Sequence, residues 1–427
     1  MDLGSVVAQL NIPESAAILT PDWERSQVAM PKEGIPFLSG DFLRKTCRQV
    51  YLPQNMTEAV VEAAERIARE PALSALAWHG HYRLTHEGDQ RVNMRDWPVL
   101  ASALDRDAGM FYVVVLLSIT PRMSEVHRRR KIPEPIIRDT VRDLDLCMNK
   151  EDFREDFGHW GISPRIFGWL LNHWRGELYR LGRLQFIPDT WRDRLHAFRH
   201  RSDGAVILLA GEGITFRADG QINGAGGVKD EAGAWTSRLT ISDKEIVGHP
   251  IHPKAFATTK EVRLHPDEWR QELAPGDPAL AIHIPAGAPM DYEACGDSIR
   301  QALDFFPRHF PDKPFAALMC HSWILDAQFE DLLPPASNLV RFQQEMYLFP
   351  IQGGTEGTVR TVFGRHVTDI KDAPRRTTMQ RAFARHIESG GHFRAGGCFL
   401  LPQDFDWGAQ VYRQNWDRVR SLTGCAI

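Results

Sequence analysis

The chain has 427 residues, 43% of them hydrophobic and 25% charged, with a formal charge of −4. That length exceeds one comfortable core and implies two domains, and the ordinary balance of apolar and charged residues excludes global disorder. The slightly negative charge excludes a surface that attracts nucleic acid as a whole, and no apolar run reaches the roughly 18 residues of a membrane span.

The first fifty residues hold Pro13, Pro21, Pro31 and Pro36 and read as a loosely packed arm with one short helix. They open MDLGSVVAQLNIPESA, with acid and proline where a secretory signal has basic residues and a long apolar run. Cys47, Cys147, Cys295, Cys320, Cys398 and Cys425 are scattered without CxxC spacing, which fits free thiols. The expectation is a soluble, cytoplasmic protein.

From Thr57, which suits an N-cap, the pattern is helical, and Pro71 ends that first segment. Further helices are expected at about 72–86, 97–119 and 134–157, with MFYVVVLLSI at 110–119 as a buried one. The basic run HRRRK at 127–131, followed by Pro133, reads as a solvated loop after a helix. SPRIFGWLLNHWRGELYRLG then supplies an N-cap (Ser163), a first-turn proline (Pro164) and one apolar stripe through Phe167, Leu170, Leu171, Trp174, Leu178 and Leu181. Gly182 suits the left-handed position that stops a helix.

After Gly182 the period changes from 3.6 to 2. Strands are expected at 183–187, 205–210, 213–217, 236–241, 279–284, 315–321, 346–351 and 358–363, with helices inserted at about 295–306 and 327–345. Turn signals such as RSDG, INGAGG, APGD and GGTEG separate them. The fold class is therefore α+β: a helical domain over 1–182, including the arm at 1–50, then a mixed-sheet α/β domain over 183–427 with a C-terminal helical extension.

The segments LGRLQF, PGDPALAIHIPAG, CHSWILD and PPASNLVRFQQEMYLFPI come in the order found in a two-domain acyltransferase family. The chain resembles that family, in which a helical N-acyltransferase N-terminal domain precedes a GNAT-like C-terminal domain. The resemblance implies acyl-CoA as co-substrate, lying where the fourth strand (DPALAIHIP) and the fifth (FAALMCHSWIL) splay apart. Splayed strands leave main-chain groups that an amide-rich pantetheine arm can satisfy. The CoA pyrophosphate would then sit near a helix start at 286–298, with Ile284, Pro285, Gly287, Cys295, Gly296 and Ser298 as its lining. The usual Q/R-x-x-G-x-G/A loop is replaced by AGAPMDYEACGDS, whose Asp291, Glu293 and Asp297 repel phosphate.

Acyl transfer to an amine needs a base, an oxyanion donor and an acid for the leaving thiolate. His283, alternating with Ile282 and Ile284, is the expected base, with Ser322 or Tyr347 assisting, although each, more simply, suits a structural role. His321, Arg183 and Gln185 are the expected acceptor contacts at the seam between the domains, where Arg183 and Gln185 serve equally as ties. Cys295 heads a helix, but neighbouring acids oppose a thiolate there. His79 with His81, and His249 with His252, have the spacing of paired metal ligands, yet no third ligand follows at a recognisable distance. No metal is expected. GGHFRAGG at 390–397 fits an anion cradle around Arg394 or, more simply, a helix stop and turn. The function read from the sequence is acyl-CoA-dependent transfer of an acyl group to a small amine or hydroxyl acceptor bound between the domains. The alternatives are a non-catalytic acyl-CoA or metabolite sensor, and a histidine-ligated metal enzyme. The expected partners are acyl-CoA and a small acceptor, with neither nucleic acid nor membrane, and the oligomeric state stays open.

Overall fold

In a computed structural model, which describes residues 1–87, 91–149 and 156–424, the chain divides into two compact units. One comprises Met1–Leu181 with Pro285–Gly287, the other Gly182–Ile284 with Ala288–Ile427. Among the described residues no helix is long and apolar enough to cross a membrane. Cys425 and residues 150–155 of the expected 134–157 helix lie outside the described residues.

The helical unit is built around α1 (Gln54–Arg69), α2 (Pro71–Thr85), α3 (Ala108–Leu117), α4 (Thr120–Arg130), α5 (Glu134–Val141) and α6 (Pro164–Trp174). All ten residues of α3 are buried, as expected for so apolar a run, and the other helices turn their stripes toward it. The first fifty residues are not a loose arm. They form several short helices, and Val6, Leu19 and Leu43 lose all exposure in the same core. Pro13 and Pro36 start 3-10 turns rather than loosening the chain. Thr57 lies inside α1, its hydroxyl donating to Pro53 O, so it is no cap.

Three other boundaries moved. Asp105 adopts φ 52° and breaks the 97–119 segment ahead of α3. HRRRK is not a loop but the last turn of α4, with Lys131 as a left-handed cap at φ 54°, since basic side chains complement the negative end of a helix. Ser163 caps α6 as expected, accepting from Ile166 N, but Gly176 at φ 66° ends the helix, not Gly182. Tyr179–Leu181 is extended, and Gly182, also at φ 66°, turns the chain into the first strand of the next unit. Leu178 and Leu181 continue the helical stripe in number, but Leu178 precedes the short strand and Leu181 ends it.

Five strands of the second unit lie side by side: β1 (Leu184–Thr190), β2 (Pro278–His283), β3 (Ala317–Ser322), β4 (Tyr347–Pro350) and β5 (Gly396–Leu400), in the order β1-β2-β3-β5-β4. β2 runs antiparallel to β1 and parallel to β3, and β5 runs antiparallel to both β3 and β4. The parallel step from β2 to β3 is made by α7 (Tyr292–His309), the crossover helix such a pair requires. A second antiparallel sheet of five strands includes Leu195–His200, Val206–Ala210, Pro250–His252 and Trp269–Leu273.

The expected strand at 358–363 is a helix, Thr355–Phe363, and β4 pairs instead with β5, a segment read from sequence as a turn. TVRTVF is rich in β-branched residues and suits a strand locally, while β5 opens on two glycines. Tertiary pairing decides the case of β5. Gly397 must be glycine, because a Cβ there would lie 2.1 Å from the Phe349 ring that crosses β5.

Candidate active site

The parallel ladder between β2 and β3 has three residue pairs: Ala279 with Ala317, Leu280 with Leu318, and Ala281 with Met319. There it stops, although both strands continue. Ile282 and His283 remain paired outward to Phe186 and Gln185 of β1. Cys320, His321 and Ser322 remain paired outward to Cys398, Gly397 and Gly396 of β5. The two strands thus hold their outer neighbours and leave each other after Ala281 and Met319.

Side chains alternate along a strand, and directly opposed residues share a face. His283 and His321 each stand two residues beyond the last shared pair, so both belong to the face of Ala281 and Met319, one on each side of the divergence. Nε2 of His321 lies 2.9 and 3.1 Å from the two carboxylate oxygens of Asp193. Its ring meets Phe349 edge-on at 5.8 Å, and its side chain keeps 41% exposure against 21% for Asp193. Asp193 sits in the short link after β1, fixed by Trp191, which is fully buried, donates to Leu195 O and packs against Phe349 and Phe399. A carboxylate on Nε2 holds the proton there and leaves Nδ1 as the basic nitrogen.

The other residues singled out from the sequence divide sharply. Tyr347 is 0% exposed, its hydroxyl donating to Ile251 O at 2.6 Å and accepting from Leu208 N at 3.2 Å, so it ties the two sheets together. Ser322 faces away from His321, and its Oγ accepts from Ile324 N in the turn that ends β3. Arg183 is buried, donating to the carbonyls of Ala288 and Pro289. Gln185 is buried opposite His283.

The helix start expected to hold phosphate is closed by the protein itself. Asp291 caps α7, accepting from Ala294 N. A Cβ on Gly296 would meet the Trp407 indole at 2.5 Å. Ser298 accepts from the backbone N–H of Arg183 and Leu184 and donates to Ala294 O. Burial pushes the Cys295 thiol up to about 12, which removes it as a nucleophile. Ile284 follows β2, whose last residue is His283, and Pro285 and Gly287 group with the helical unit.

The paired histidines are likewise committed elsewhere. His79 lies within 2.9 Å of Ser26 Oγ and stacks on Trp97, and His81 lies 2.9 Å from Ser118 Oγ; both are on a helix and burial holds them neutral. Among the described residues there is no group of three His, Cys, Asp or Glu suited to a metal. GGHFRAGG is in part strand: Arg394 N donates to Asp326 before Gly396 and Gly397 enter β5.

Comparison with known proteins agrees with this architecture. Residues 41–176 match the N-acyltransferase N-terminal domain and residues 178–400 the GNAT-like C-terminal domain. The chain belongs to this family of GNAT-like N-acyltransferases. Similar folds include an acyltransferase solved in complex with CoA and 10C-teicoplanin, at 24% identity and TM-score 0.63. Others are an acyltransferase solved with decanoyl-CoA and teicoplanin, at 23% and 0.61, and an acyltransferase mutant solved with octanoyl-CoA, at 23% and 0.62. Each match covers 94% of this chain and 99% of the other. No curated protein matches the chain.

Proposed function

We propose that this acyltransferase takes its acyl group from acyl-CoA and delivers it to an amine, with hydroxyl acceptors as the lesser alternative. The observation that carries the reading is the end of the β2–β3 ladder after Ala281 and Met319, flanked by His283 and His321. Main-chain groups past that point are suited to the pantetheine amides, which would bring the thioester up to the histidine-bearing face.

In the proposed reaction the amine nitrogen attacks the thioester carbonyl, forming the C–N bond. His321 takes the amine proton on Nδ1 while Asp193 stabilises the imidazolium through Nε2. The C–S bond then breaks and the thiolate leaves with a proton, for which His283, on the other strand, is the nearest candidate by register. His283 was the base expected from sequence; the Asp193 pairing favours His321 for that task. Among the described residues the cysteines Cys47, Cys147, Cys295, Cys320 and Cys398 are free and buried, which supports a reducing, cytoplasmic setting.

A second reading, a sensor that binds acyl-CoA without turnover, is favoured by the acidic, sealed start of α7. Thiol release from acetyl-, octanoyl- and decanoyl-CoA, with and without a panel of primary amines, separates the two. Amine-dependent release supports the transferase, and saturable binding with no release under any pairing overturns it.

A further inference from the structure

The helical unit contains a cavity of about 360 Å³ between the end of α4 and the start of α5, which the transfer chemistry above does not use. Its lining includes Met123, His127, Lys131, Ile132, Glu134 and Ile137. His127 is only 2% exposed, and neither ring nitrogen has a hydrogen-bond partner among the described residues. Leaving both nitrogens of an imidazole unpaired costs about 1–3 kcal/mol per group, which a molecule in the adjoining cavity would offset. The ring is fixed in place, its centroid 5.7 Å from that of Tyr179.

The charges around the cavity are unequal in availability. Arg128 is held by a bidentate pair to Glu125 at 2.8 and 3.0 Å. The Glu134 carboxylate accepts the Tyr51 hydroxyl. Lys131, placed at the rim by its left-handed cap conformation, has no ion-pair partner among the described residues. Met123, Ile132 and Ile137 give the same space an apolar wall. A neutral imidazole that can donate, a free ammonium and an aliphatic wall together select an anionic head on a short apolar body.

We propose that this cavity binds a small monocarboxylate with a short aliphatic chain, its carboxylate between His127 and Lys131. The basic run HRRRK then has a purpose: it closes α4 and delivers one imidazole to the floor and one ammonium to the rim. The proposal is independent of the acyl-transfer reading.

The test is calorimetric titration of the full chain with hexanoate, 1-hexanol and hexylamine, repeated in Lys131→Ala and His127→Leu. Hexanoate should bind saturably, at least about tenfold more tightly than hexanol, with hexylamine weakest. Lys131→Ala, an exposed change that leaves the core intact, should weaken hexanoate by about three- to tenfold. His127→Leu should remove saturable binding; if it fails to fold, the lysine variant alone decides. Absence of saturable hexanoate binding overturns the proposal. So does wild-type affinity in Lys131→Ala, which would assign the carboxylate to another site such as the opening between β2 and β3.

Discussion

The two halves of the β2–β3 pair are built from different chemistry. The closed half, Ala279–Ala281 against Ala317–Met319, is apolar, buried and joined by a parallel ladder. The open half, two residues further on, carries histidines and no shared ladder, and its outward neighbours keep it from collapsing. One pair of strands thus supplies both a rigid hinge and a polar opening. The lesson is that outward pairing, to β1 on one side and β5 on the other, allows strands to part without unravelling. An edge strand that lost its only partner would have no such support.

The largest expected effect lies in the open half. His321→Ala should lower kcat for amine-dependent thiol release by about 10²- to 10⁴-fold. Because the side chain is 41% exposed, the thermal midpoint should hold. Unchanged turnover would move the base to His283. Asp193→Asn keeps the shape and removes the charge, so a smaller loss of about 10- to 100-fold is expected, in kcat rather than in KM for the acyl donor. Equal losses in both constants would make Asp193 a binding residue instead.

Two changes sharpen the contrast from the supporting side. Gly397→Ala would force a methyl into the Phe349 ring beside His321 and should destabilise the fold by about 1–3 kcal/mol, read from urea unfolding. No loss of stability would mean that the ring is free to move. Tyr347→Phe deletes the hydroxyl that joins the two sheets and should cost about 1–2 kcal/mol, with turnover per folded molecule unchanged. A selective drop in kcat would return Tyr347 to the chemistry.

What the sequence disclosed and what it hid follow one physical division. Local signals located the strand at 278–283, between APGD and PAG, and the buried helix at 108–117, because turn chemistry and apolar density act within a few residues. The helix over 164–174 was overrun to Gly182 because Leu178 and Leu181 happen to stay in phase with its stripe. β5 is hidden in the sequence because non-local pairing with β3 and β4 sets its state, and it takes the place beside β4 that 358–363 suits locally. At the site, His283 and His321 were visible as polar residues within apolar strands. Asp193 was not, since it stands in a loop 128 positions from its partner and no spacing rule connects them. The phosphate region was proposed from the position of a helix start. Asp291 and Trp407, the latter more than a hundred residues away in sequence, close it.

The most direct test of the central claim is a crystal structure of the full chain with decanoyl-CoA. The account predicts pantetheine lying between the main chains of residues 282–284 and 320–322, with the thioester within reach of His321. A β2–β3 ladder that zips on past Ala281 and Met319, with the cofactor bound elsewhere, would contradict it.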